Sequence, residues 1–170
     1  MAQTIYDLAI LGGGPAGYTA AIRAGQYGLK VALIEESERL GGTCLHVGCI
    51  PTKSLLFNAE IYDYLKHAKE YGIDGLGEGR VNWKAVLERK TQIVMKHAKG
   101  LDFLMRKNKV TVVQGFGKLT GPAKNGVLEV SVSDGKGATT VQAKNIILAT
   151  GSDAKLLPGL AVDDRILTNT

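Results

Sequence analysis

Aromatic residues are scarce: Tyr, Phe and Trp make up 6% of the 170 residues, with a single Trp. A chain so poor in π-faces is a weak candidate for a stacking platform on single-stranded nucleic acid. No charge sign dominates throughout. Residues 1–85 carry eight Lys/Arg and nine Asp/Glu, and residues 86–170 carry thirteen and seven. The basic excess behind the net charge of +5 is concentrated between Arg89 and Lys109. That stretch has the pattern of an amphipathic helix with a solvated face, so no nucleic-acid partner is expected. No run approaches the roughly 18 apolar residues that cross a membrane, and none is expected to. Residues 1–7 have neither a basic start nor an apolar core, so they are not expected to be a signal peptide, and a cytoplasmic location is expected. There is no internal repeat, collagen period or low-complexity run, so disorder and fibrous structure are excluded. Cysteine occurs only twice. In a reducing compartment two cysteines stay as thiols unless the pair is itself a working redox device.

Glycine is in excess, at 22 residues. The apolar run Ile5–Leu11, broken by Asp7, predicts a buried parallel strand entering the turn Gly12-Gly13-Gly14. Residues 15–27 predict a helix with Pro15 in its first turn and Gly17, Ala20, Ala21 and Ala24 on its inner face. Gly28 ends it, and Val31-Ala32-Leu33-Ile34 predicts a second strand closed by Glu35. A glycine-rich loop over 37–51 follows, then a helix over 52–71 with Leu55, Leu56, Ala59, Tyr62 and Leu65 on one side. Asn82 is the expected cap of a long helix whose apolar stripe includes Trp83, Val94, Leu101 and Leu104. His97 lies on that stripe and is expected to be a packed core histidine. Residues 110–113 predict a strand. Beyond it, 116–120, 127–132 and 139–143 are short strands separated by Asn125-Gly126 and Asp134-Gly135, an antiparallel meander. Residues 146–149 predict another buried strand, running into Thr150-Gly151. The expected fold is therefore α/β, a Rossmann-like parallel sheet with helices and a three-stranded meander over about 115–143. Residues 1–151 form one domain, and 152–170 are expected to be a linker.

Gly12-x-Gly14-x-x-Gly17 follows a strand and opens a helix, the context that a dinucleotide turn needs. Gly12 permits the tight turn, Gly14 lets a pyrophosphate approach, and Gly17 lets helix and strand pack closely. Free N–H groups and the helix dipole then hold the negative charge. Glu35 ends the second strand, where a carboxylate accepts hydrogen bonds from ribose hydroxyls and repels a 2′-phosphate. The turn alone does not separate FAD from NAD.

The stretch Gly41-Gly42-Thr43-Cys44-Leu45-His46-Val47-Gly48-Cys49-Ile50-Pro51-Thr52-Lys53 carries both cysteines. Gly48 lets the intervening loop bend, and Pro51 starts a helix, placing Cys49 near a dipole that favours thiolate. Lys53 adds a positive charge nearby. The physical reading is a reducible disulfide on a dinucleotide fold. Two other readings stay open: inert buried cysteines, and a metal site of Cys44, His46 and Cys49. The latter lacks a second ligand cluster, since His67 and His97 stand apart on helices, and no metal is expected. His46 is read as an exposed loop residue without a role.

The cysteine stretch resembles the redox motif of the flavin-dependent pyridine nucleotide–disulfide oxidoreductases. Leu45, Ile50 and Thr52 make it look most like the dihydrolipoamide dehydrogenase branch, with glutathione and mercuric reductase relatives as the alternative. The resemblance extends through Glu35, the Lys107-Asn108-Lys109-Val110 entry, Gly115-Phe116-Gly117-Lys118 and Ala149-Thr150-Gly151-Ser152. The family usually has Asn at the position of His46. The resemblance implies FAD with its pyrophosphate on the 12–17 turn (Gly12, Gly14, Pro15, Ala16 and Gly17) and its ribose at Glu35, with Glu36 also in the cofactor site. Gly42, Thr43, Lys53, Gly117, Thr150 and Gly151 would line its path. Cys49 would face the flavin and Cys44 would exchange with the dithiol substrate, with NAD as the final acceptor. The implied partners are dihydrolipoamide or a lipoyl domain on the acyltransferase core of a 2-oxo acid dehydrogenase complex. The family's second GxGxxG, its later Gly-Asp segment and its interface domain with a His–Glu pair have no counterpart here. The chain is therefore expected to be the N-terminal FAD portion of a longer homodimeric enzyme. By itself it is expected to be inactive, or a non-catalytic nucleotide-binding piece.

Overall fold

A computed structural model describes residues 4–121 and 124–169. The first three residues of the segment read as not being a signal peptide, and Thr170 of the expected linker, lie outside the described residues. In chain order the elements are β1 (Ile5–Leu11), α1 (Pro15–Gln26), β2 (Val31–Glu35), α2 (Gly42–His46) and α3 (Cys49–Lys66). A 3-10 turn (Ala68–Tyr71), α4 (Trp83–Lys107), β3 (Thr111–Gln114), β4 (Phe116–Leu119), β5 (Leu128–Ser133) and β6 (Ala138–Leu148) complete it. The strands form one sheet in the order β3-β2-β1-β6-β5-β4. β1 pairs in parallel with β2 and β6, and β2 with β3. β4, β5 and β6 pair antiparallel.

Strand alternation divides the core into two layers. Ala9, Leu11, Ala32 and Ile34 point one way and pack with Val130, Val132, Val141 and Ala143 of the meander. Ile10, Val31 and Leu33 point the other way, against Ala21 and Ala24 of α1 and Met105 of α4. The central strands are thus covered on both faces, which is why they read as unbroken apolar runs. Fully burying a side chain such as Ile10 or Leu33 contributes about 1.5–3 kcal/mol. A Cβ at Gly117 would lie 3.0 Å from Ile34 Cγ2, so the meander brings β4 back close over β2.

Several expectations change. The meander's last strand and the expected strand over 146–149 are one continuous β6. Its first half pairs with β5 and its second half with β1. Lys144 and Asn145 look like a break, yet both are satisfied on β1. Lys144 Nζ donates to Asp7 Oδ1 at 2.8 Å and Asn145 Nδ2 to the Asp7 carbonyl at 3.1 Å. The same contacts explain why an aspartate interrupts β1. The helix expected over 52–71 starts earlier, at Cys49, and ends at Lys66 before the 3-10 turn. Leu56 on it is exposed. His97 is exposed rather than packed; the buried positions of α4 are Val94, Ala98 and Met105. Asn82 caps α4 as expected, its Oδ1 accepting from the Ala85 N–H at 3.1 Å. Residues 152–169 contain no helix or strand. No helix of the described residues is long and apolar enough to cross a membrane.

Candidate functional site

The site is assembled at the C-terminal ends of β1, β2 and β6, where ligands bind in sheets of this topology. Gly12 leaves β1 at φ +101°, and a Cβ there would lie 2.1 Å from the Ala149 carbonyl oxygen. A Cβ on Gly17 would lie 1.7 Å from the Gly12 carbonyl oxygen. Both positions therefore require glycine for packing. Gly14 differs. A Cβ there would meet nothing closer than Gly42 Cα at 3.8 Å, so its glycine leaves an open approach to the backbone. Gly14 is also the N-cap of α1, and no side chain closes that helix end. Uncapped N–H groups and the helix dipole at a glycine wall fit a diphosphate.

Glu35 is held facing this turn. The Gly13 N–H donates to its Oε2 at 2.6 Å and the Ser37 N–H to its Oε1 at 2.7 Å. Gln114, on the neighbouring β3, fixes the same corner. Its Nε2 donates to the carbonyls of Glu35, Glu36 and Ser37 at 3.1, 2.9 and 2.6 Å. Two amide protons are shared among three acceptors. Gln114 was not identified from the sequence, because its role exists only once β3 pairs with β2.

The cysteine loop docks on the dinucleotide turn, backbone against backbone. The Gly41 N–H donates to the Gly13 carbonyl at 2.9 Å, and a Cβ on Gly42 would lie 2.8 Å from Gly14 Cα. The loop expected over 37–51 contains a short helix, α2, which carries Cys44. Gly48 then turns the chain so tightly that a Cβ there would lie 2.9 Å from the Thr43 carbonyl oxygen. Cys49 follows as the first residue of α3. Both cysteines are free thiols, Cys44 half-buried and Cys49 exposed. A hydrogen bond with the Cys49 side chain holds the Cys44 thiol above its ordinary pKa, and burial and the Cys49 charge push the same way. The Cys49 backbone and the Lys53 charge oppose them. His46 is not an exposed loop residue. It ends α2, half-buried, with Nε2 2.9 Å from the Leu40 carbonyl, and so ties the ends of the loop together.

A cleft of about 840 Å³ is lined by Gly12, Gly14, Pro15, Ala16, Glu35, Glu36, Gly42, Thr43, Cys44, Cys49, Thr150 and Gly151. That volume lies within the range of small-molecule and cofactor sites. Gly17, Lys53 and Gly117 do not line it: Gly17 packs under the turn, and Gly117, on β4, faces Leu11 and Ile34. A second recess, of about 380 Å³, lies beside Cys44 between Tyr18, Leu45, Ile50 and α4. Cys44 lines both spaces, whereas Cys49 lines the cleft and not the recess. Among the described residues, no three or more His, Cys, Asp or Glu side chains are grouped where they would hold a metal ion.

Comparison with known proteins agrees with this geometry. The chain is 44% identical over 171 residues to the dihydrolipoyl dehydrogenase of Bacillus subtilis, covering 98% of this chain and 36% of that protein. It is 45% identical to the dihydrolipoyl dehydrogenase of Manduca sexta, covering 96% and 32%. It is 44% identical to the leghemoglobin reductase of Glycine max, covering 96% and 31%. The chain thus spans about a third of the length of these relatives. A solved Cu(II) complex of the HOCl-induced flavoprotein disulfide reductase RclA from Escherichia coli superposes with a TM-score of 0.72 at 25% identity. It covers 92% of this chain and 31% of that one. The family profile of the pyridine nucleotide-disulphide oxidoreductases matches residues 6–169, and the chain belongs to that family.

Proposed function

We propose that this chain is the FAD-binding and dithiol-exchanging part of a dihydrolipoamide dehydrogenase. One observation carries the reading: Cys44 lines both the cleft of the dinucleotide turn and the recess, while Cys49 lines the cleft and not the recess. That division suits a relay in which substrate meets Cys44 from the recess and electrons leave through Cys49. The likeness to dihydrolipoyl dehydrogenases supports the substrate class.

In this reading the pair begins as a disulfide. A substrate thiolate attacks the Cys44 sulfur, and Cys49, the first residue of α3, leaves as a thiolate. The second substrate thiol displaces Cys44 and closes the substrate disulfide. Two electrons then reside on the cysteine pair. Residues of the 12–17 turn and Glu35 would hold FAD by its diphosphate and ribose, with Glu36, Gly42, Thr43, Thr150 and Gly151 along the cleft. FAD held there would supply the two-electron acceptor for the pair and the hydride chemistry toward NAD. Lys53 and Gly117 belong to the proposed FAD site by resemblance. A lipoyl domain on a 2-oxo acid dehydrogenase core is the proposed partner, the full-length protein a homodimer, and the cytoplasm its location.

The test follows electrons into the pair. The oxidised 170-residue chain is treated with dihydrolipoamide, and thiols are counted by alkylation and mass. Two new thiols per chain, at Cys44 and Cys49, are expected, with FAD bound in a separate fluorescence titration. A disulfide that resists the dithiol, or no FAD binding, overturns the reading. In the full-length protein Cys49→Ser abolishes lipoamide turnover, whereas the 170-residue chain alone gives none.

A further inference from the structure

His46 stands between the two cysteines in the chain and takes no part in the proposed relay. It ends α2, a helix of only five residues whose start carries no side-chain cap. A helix so short is not stable by itself and keeps its shape through outside contacts. At its start the Gly41 N–H donates to the Gly13 carbonyl at 2.9 Å. In its middle Leu45 is buried with Val94 and Ala98 of α4. At its end His46 Nε2 lies 2.9 Å from the Leu40 carbonyl oxygen. A carbonyl only accepts, so Nε2 carries the proton and donates. Leu40 is a firm anchor, 4% exposed and clustered with Ile10, Ala21 and Leu33. The bond thus ties the far end of the Cys44 turn to the core beneath α1. Cys44 lies inside the span 40–46 that this bond closes, and Cys49 lies outside it, at the start of α3.

We propose that His46 is a positioning residue for the cysteine pair: its Nε2–H, bonded to the Leu40 carbonyl, holds the Cys44 turn where the pair closes, and so favours the disulfide over the dithiol. The proposal rests on the reading of Cys44 and Cys49 as a redox disulfide. Closing a ring costs the conformational freedom of the segment it joins. The His46 clamp has already removed part of that freedom in the dithiol form, where the Cys44 thiol is hydrogen-bonded with Cys49. Without the clamp the turn gains freedom as a dithiol and gives it up again as a disulfide, so closure becomes costlier. The imidazole acts by its reach and not by its ionisation. Gln carries an amide N–H as many bonds from Cβ as the histidine Nε2, Asn carries one a bond shorter, and Leu has no donor.

The experiment equilibrates the 170-residue chain and its His46→Leu, His46→Asn and His46→Gln variants in dithiothreitol redox buffers at one pH. Thiols are counted by quenched alkylation and mass. Each dithiothreitol gives two electrons and two protons to the pair and closes into its own cyclic disulfide. The ratio of disulfide to dithiol at a given buffer composition is expected to fall about two- to tenfold in the Leu and Asn variants, the range of one net hydrogen bond. His46→Gln is expected to restore most of it. Urea unfolding of both redox forms closes the thermodynamic cycle. The Leu variant should lose more stability as a disulfide than as a dithiol, by the same factor in the unfolding constant. Should it not fold, His46→Asn, which keeps a polar side chain at this half-buried position, decides the matter. Unchanged ratios, with stability lost equally in both redox forms, overturn the proposal, because that is the mark of a purely structural bond. A Gln variant that behaves like the Leu variant also overturns it, because reach is then not what the imidazole supplies. If no chain, the parent included, forms the Cys44–Cys49 disulfide, the redox reading itself fails, and the proposal with it.

Discussion

Replacing Gly17 by alanine tests whether this turn is held by close packing. The substitution adds one methyl group to a residue already in helical conformation, in the first turn of α1. Its Cβ would lie 1.7 Å from the Gly12 carbonyl oxygen and 2.9 Å from the Gly12 carbonyl carbon. Both obstacles are backbone, so no side-chain rotation relieves them. Either α1 retreats by more than an ångström or the turn opens. Retreat would loosen Ala21 and Ala24 from Ile10, Val31 and Leu33. Overpacking of this kind costs typically 1–3 kcal/mol, with a backbone clash at the upper end. The helix-propensity gain of alanine over glycine returns at most about 1 kcal/mol. A net loss of about 2 kcal/mol is expected, or roughly 4–8 °C in Tm for a chain of this length. Gly100→Ala is the matched control. It lies inside α4, and a Cβ there meets nothing within 4 Å. The same chemical change should therefore stabilise by about 0.5–1 kcal/mol. Urea unfolding followed by circular dichroism measures both. Gly17→Ala within 0.5 kcal/mol of the parent, on the ~0.5 kcal/mol scale of ordinary surface changes, would refute the packing argument.

Cys49→Ala should shift alkylation of Cys44 by iodoacetamide to lower pH. The hydrogen bond and the charge that raise the Cys44 pKa are both lost, while Lys53 still lowers it; a pH–rate profile identical to the parent's would contradict this. Gln114→Leu should weaken FAD binding and cost about 0.5–1.5 kcal/mol, because the carbonyls of Glu35, Glu36 and Ser37 lose their shared donor. Fluorescence titration with FAD against FMN checks it, the loss being confined to the ligand that carries an adenosine. Asp7 has its pKa lowered, first by the Lys144 hydrogen bond and then by the Lys30 backbone N–H. Its contribution is therefore present above the unfolded carboxyl value and is lost as pH falls through the lower folded value, below about pH 4. Asp7→Asn should flatten the acid limb of the stability curve in that window, read from Tm against pH.

The features legible in the sequence are those whose physics is local. The strand–turn–helix around Gly12 and Gly17 needs only a few consecutive residues to be recognised. So does the Asn82 cap, whose acceptor and donor are three residues apart. The Asn125-Gly126 turn shows the positive φ of both residues that its sequence predicts, +53° and +75°. The features that were not legible depend on distant partners. Gln114 reaches acceptors more than 70 residues away. Lys144 and Asn145 look like a strand break until Asp7 is beside them. The apolar periodicity of α4 placed His97 inside, but the helix is buried only on the narrower stripe of Val94, Ala98 and Met105.

By itself the sequence determined which chemistry was available: a glycine turn with an acidic strand end, and two cysteines on a bendable, glycine-flanked loop. Those properties belong to residue types and short spacings. Only the tertiary structure decided that the two motifs share one cleft, through glycine backbones of the loop pressed against Gly13 and Gly14. It also decided that Cys44, and not Cys49, opens onto the recess under α4. The reason is that such juxtapositions arise from packing between segments remote in the chain, and a local spacing carries no record of what will be packed against it.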